Sequence, residues 1–174
     1  MVATALAVLA GALAPEPLVQ VAKDLHARGL RVAVLTSAPL SAALTAAKVP
    51  HVAVTSPAEV GMLMADRVEL VVALPPAVHV AGESAKARHA RLAAWVTGAG
   101  AFVRSAAWNH QQIAVVIDDA TLAEVPSKVS SNGTLAFSNK ERRVLAEKVF
   151  AHFAALDESI AQSLRNENGA CHCS

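Results

Sequence analysis

Tyrosine is absent from this chain, and two Trp and four Phe hold the aromatic share to 3% of 174 residues. No tyrosyl acid, base or nucleophile can therefore take part in its chemistry. Cysteine is almost as scarce: the two present, Cys171 and Cys173, lie within the last four positions. They cannot staple a core, which points to an intracellular, reducing setting. That setting is cytoplasmic or organellar, with a mitochondrial assembly among the alternatives. Charge of one sign is also lacking. Fifteen Lys and Arg oppose fourteen Asp and Glu, for a net charge of +1, so nothing marks a nucleic-acid or anionic-membrane surface. No apolar run reaches the ~18 residues of a membrane span, so no membrane insertion is expected. The opening MVATALAVLAGALA has no basic n-region and runs into Pro15 and Pro17, so it reads as a first strand and turn and not as a secretory signal. GxGxxG, Walker and HExxH motifs are missing too. Seven His occur without ligand spacing except beside Cys171-His172-Cys173, and one short tail cannot close a tetrahedral site. No metal and no cofactor are expected.

What remains is 54% apolar, mostly Ala, Val and Leu. Short Val/Ala-rich runs at 5–10, 31–36, 51–55, 68–74 and 113–118 read as buried strands. Helical stretches lie between them. One spans 18–29, preceded by Pro15 and Pro17 and closed by Gly29, and others span 38–48 and 83–96. Strands and helices alternating at this spacing predict a three-layer α/β/α sandwich around a mainly parallel sheet. A long amphipathic helical segment over 138–166 follows, opened by the capping box Ser138–Glu141. Residues 1–166 read as one domain and 167–174 as a polar tail. Asp118 and Asp119 end a strand where α/β proteins bind ligands, although an acidic pair there is also ordinary turn chemistry.

The stretch GAFVRSAAWNHQQIAVVIDD, followed by LAEKVFAHFAALDESIA, resembles the IMP cyclohydrolase domain of the bifunctional purine-biosynthesis enzyme. That family's run is close to GGPTMLRAAAKNH, then a VVVDPADY strand, then LAAKAFAHTAAYDAAIA. Arg104, Ala106, Ala107, Asn109, His110, Asp118, Phe150, Ala151, His152, Asp157 and Ile160 match it. Weaker similarity extends through most of 5–165. The resemblance implies a methylglyoxal-synthase-like fold, with the enzyme's transformylase half absent from this sequence.

It also implies a site that has lost its chemistry. Pro15 stands at the lysine of the family's SVSDKTG phosphate turn. The second turn, STGGT, becomes Thr36-Ser37-Ala38-Pro39-Leu40, and Pro39 has no N–H to give a phosphate. Pro75 replaces the NLYPF tyrosine, Val96 the DIGG aspartate, and Trp108 the AAAKNH lysine. Removing acid–base and electrostatic groups together leaves no ring-closing mechanism. The implied protein is a pseudoenzyme acting as a structural or interaction subunit among other proteins, with a small-molecule ligand doubtful. Thr36, Ser37, Arg67, Arg104 and Asn109 would border a vestigial ligand site, which keeps a nucleotide- or phosphate-binding module as the alternative and active cyclohydrolase as a third reading. Trp95, Phe102, Trp108 and Phe137 are candidates for an interface or for filling the old cavity. For Trp108, filling is the expectation.

Overall fold

Five short apolar runs make one parallel sheet, four of them with side chains alternating between two apolar environments. They are β1 (Leu6–Gly11), β2 (Arg31–Leu35), β3 (Val52–Val54), β4 (Val68–Leu74) and β5 (Ala114–Val116), in the order β3-β2-β1-β4-β5. The computed structural model describes residues 6–11, 15–35, 37–54, 59, 68–78 and 80–169. The helices are α1 (Pro15–Ala27), α2 (Ala38–Ala46), α3 (Ala85–Thr97), α4 (Ala99–Trp108), α5 (Asp119–Glu124) and α6 (Asn139–Gly169), with a 3₁₀ turn at Val125–Lys128.

β1, β2, β4 and β5 split their side chains between two cores, and the edge strand β3 adds Val54 to one of them. Val8 and Ala10 of β1, with Val71 and Ala73 of β4, face Leu92, Trp95, Phe102, Val149 and Phe153. Their neighbours Ala7, Leu9, Leu70 and Val72 face Leu18, Leu25, Leu40, Leu44 and Leu122. The chain is thus a three-layer α/β fold, with α3, α4 and α6 on one face and α1, α2 and α5 on the other. At the β5 edge, α6 contributes to both cores, Leu145 to one and Val149 to the other, and so covers the last strand.

Local signals explain the boundaries. Ser37 caps α2 and Ser84 caps α3, each accepting the N–H of the residue three positions on. The Ser138–Glu141 capping box forms, with Glu141 Oε2 accepting the Ser138 N–H at 2.7 Å and Ser138 Oγ accepting the Glu141 N–H at 3.2 Å. Gly29 follows α1 at φ 88°, the left-handed position a C-terminal glycine supplies. Two elements exceed the expectation: 99–108 is a complete helix, and 119–124 is a short helix where a turn was foreseen.

Close packing joins α3 to α4. A Cβ on Gly100 would lie 2.7 Å from the Trp95 carbonyl oxygen and 3.2 Å from the Phe153 ring, so only glycine fits. Among the described residues, no helix is long and apolar enough to cross a membrane.

Candidate functional site

In a parallel α/β sheet the ligand edge lies at the carboxyl ends of the strands. Ser37 stands there, just after β2. Its hydroxyl accepts the Leu40 N–H at 3.3 Å, and its carbonyl accepts the Ser41 N–H at 3.0 Å. Pro39 has no N–H. The first turn of α2 is therefore capped from within, and its Leu40 is fully buried. Pro75 is half-buried immediately beyond β4. Val96 packs partly buried against the core, two residues before the Gly98 junction.

Helix α4 carries the chain back to the opposite edge, where β5 begins. Ten residues at 1.5 Å each make it about 15 Å long. Arg104 lies midway along it. Its guanidinium is 5.1 Å from the Phe153 ring centroid and 3.6 Å from Asp157 Oδ2. Trp108 and Asn109 end the helix, with the Asn109 N–H donating to the carbonyls of Ala106 and Ser105. Asn109 then lines a cavity of about 420 Å³ with Glu69, Gln112, Thr134 and Arg142, at the amino ends of β4 and β5.

The five expected border residues are accordingly not gathered. Thr36 and Arg67 lie outside the described residues. Ser37 and Asn109 stand at opposite edges of the sheet, with Arg104 between them and engaged with α6. The reason is topological: Ser37 opens α2 at the carboxyl ends of the strands, whereas Asn109 closes α4 where the chain returns to their amino ends. Trp108 overturns the filling expectation. It is 81% exposed, while Trp95, Phe102 and Phe137 are all buried at 5–6%. Its ring meets Phe150 edge-on at 6.2 Å.

Asp118 resolves toward turn chemistry. Its Oδ1 accepts the Thr121 N–H at 2.9 Å, capping α5, and Oδ2 accepts from Lys148 Nζ at 2.9 Å. Partial burial pushes this carboxyl up, but the Thr121 and Lys148 donors outweigh it and hold it below the ordinary carboxylate range. Burial pushes the His152 imidazole down, which favours its neutral form. No cluster of three or more His, Cys, Asp or Glu able to hold a metal occurs among the described residues. The Cys171-His172-Cys173 tail lies outside them.

With that geometry in view, comparison with known proteins shows what the chain is similar to. Residues 106–173 match the AICARFT/IMPCHase bienzyme family. The bifunctional purine biosynthesis protein PurH of Streptococcus mutans is 45% identical over 65 residues, 37% of this chain and 12% of its own. PurH of Enterococcus faecalis is 40% identical over 72 residues, 41% of this chain and 14% of its own. Over residues 106–173 the domain is PurH-like. This chain spans about an eighth of the length of those relatives over the matched segment. The crystal structure of ForH superposes with a TM-score of 0.69 at 19% identity, over 92% of this chain and 98% of that one. It extends the likeness of fold to the N-terminal two thirds.

The matched segment starts at Ala106, so Trp108 falls inside the part whose alignment is firmest. Pro75 and Val96 lie upstream of it. Sequence reasoning missed the exposure of Trp108, although a signal was there. Phe102, Val103, Ala106 and Ala107 are the inward residues of α4, and at 100° per residue position 108 turns outward with 104 and 105.

Proposed function

We propose that this PurH-like domain no longer closes the purine ring and serves as a structural or interaction subunit of a larger protein assembly. The observation that carries the reading is Trp108, an apolar indole that is 81% exposed where the resemblance puts the catalytic lysine. No proton can be relayed there, and no anionic intermediate stabilised. Pro75 and Val96, in place of a tyrosine and an aspartate, point the same way. The spent first turn of α2 removes one half of a phosphate cradle. An exposed tryptophan braced on Phe150 has the character of an interface anchor, since Trp is enriched among residues that dominate binding energy. Native-extract size analysis tests the assembly role. The chain is expected in a large complex, and Trp108→Ala is expected to release it. Migration of the wild-type chain as a monomer would overturn the proposal.

A second reading, a ligand-binding module, draws on the 420 Å³ cavity beside Asn109 and Arg142. A thermal-shift series with IMP, AICAR and inorganic phosphate tests it. A ligand at 100 times its Kd stabilises by about 2.7 kcal/mol, so no shift at millimolar ligand excludes this reading.

A further inference from the structure

His51 sits between α2 and β3, against the side of α2. Its Nδ1 is 2.9 Å from the Val49 carbonyl oxygen, which can only accept, so that nitrogen carries the proton. The Nε2 lone pair then faces Ser41 of α2, whose Oγ is 2.7 Å away. A hydroxyl, a base within hydrogen-bond reach and a third group fixing the base's tautomer form the arrangement that activates serine for acyl transfer. Both side chains are half-buried and so keep contact with solvent. On its other side the same imidazole walls a depression of about 380 Å³, where Leu30, Val32, Pro50 and Val52 lie beside His26 and Arg31, a mostly apolar surface suited to the body of a small ester.

We propose that Ser41 is a nucleophile that takes an acyl group from activated carboxylic esters, with His51 as its general base. Ser41 Oγ attacks the ester carbonyl and its proton passes to His51 Nε2. The carbon–oxygen bond to the leaving group then breaks, and that proton leaves with the departing oxygen as an alcohol or phenol. Histidine returns neutral, and Ser41 holds the acyl group as an ester.

The surroundings also set the limit of this chemistry. The Ser41 N–H is committed to the Ser37 carbonyl and the Leu40 N–H to Ser37 Oγ, so neither amide serves a tetrahedral oxyanion. Acylation by a good leaving group proceeds with base assistance alone. Hydrolysis of the resulting serine ester, whose alkoxide leaves poorly, is slow. The outcome is about one acyl group per chain and not rapid turnover.

Incubating the full chain with p-nitrophenyl acetate tests this directly. The expected result is a burst of about one equivalent of p-nitrophenolate, with the acetyl group mapped by peptide mass to Ser41. Ser41→Ala abolishes the burst. His51→Gln can still hydrogen-bond the hydroxyl but cannot take its proton, and it slows the burst by about 100-fold or more. Circular dichroism of each variant confirms folding, and site mapping on the wild-type chain gives an answer without either variant. Acetyl groups found elsewhere, or a burst unchanged in a folded Ser41→Ala or His51→Gln variant, would overturn the assignment.

Discussion

Replacing each tryptophan in turn by alanine separates a surface anchor from a core filler. Trp108 is 81% exposed, so about a fifth of its area is covered, roughly 50 Å² of the 150–250 Å² an aromatic can bury. At ~25 cal/mol per Å² this is worth about 1 kcal/mol, which includes much of the edge contact with Phe150. Alanine returns a few tenths through its better helix propensity. Trp108→Ala is therefore expected to cost about 1 kcal/mol or less, a fall in Tm of ~2–4 °C for a domain of this size. Trp95 is 5% exposed and packed against Phe153 and Gly100, so Trp95→Ala should cost ~3–5 kcal/mol. Urea unfolding followed by far-ultraviolet circular dichroism measures both. Iodide quenching of the single-tryptophan variants adds a second readout, with Trp108 quenched freely and Trp95 protected. A loss above about 2 kcal/mol for Trp108→Ala, or a protected Trp108, would refute the surface placement and return that residue to the old pocket.

Three further outcomes follow from the packing and charges. Gly100→Ala drives a Cβ to 2.7 Å from a backbone oxygen and should cost ~1–3 kcal/mol in urea unfolding. Ser37→Ala removes the α2 cap and should cost about 1 kcal/mol, while leaving any thermal shift with phosphate unchanged. The Glu141 carboxyl is lowered from 4.5 to about 2, first by Lys128 and then by Ser138. Its folded value lies below its unfolded one, so its contribution is complete above pH ~4.5 and is lost as pH falls toward 2. Glu141→Gln should flatten that part of the acid limb in a pH series of urea midpoints.

The architecture was legible because strand and helix periods differ and the alternation of β1, β2, β4 and β5 serves two cores. Val8 against Leu9 and Val71 against Val72 already carry the two-faced sheet in their spacing. The short helix 119–124 was hidden because Asp118 reads equally as turn and cap until Thr121 is seen to donate to it. The candidate site was reached only through the resemblance, as a set of expected replacements. Linear order says that Ser37 and Asn109 each border a strand, but not that the borders face opposite edges; that depends on the run of α4. Trp108 misled because a large apolar side chain among alanines looks like core, whereas helical phase puts it outside. The Ser41–His51 contact left no trace in the sequence, since ten residues and a turn at Lys48 (φ 57°) separate the pair.

The central claim is that a cyclohydrolase-like scaffold persists here without its chemistry. Incubating the purified chain with formyl-AICAR and following IMP by absorbance and chromatography tests it most directly. No IMP above the uncatalysed rate is the predicted result, for the wild-type chain and for Trp108→Ala alike. Saturable IMP formation proportional to protein concentration would contradict the account.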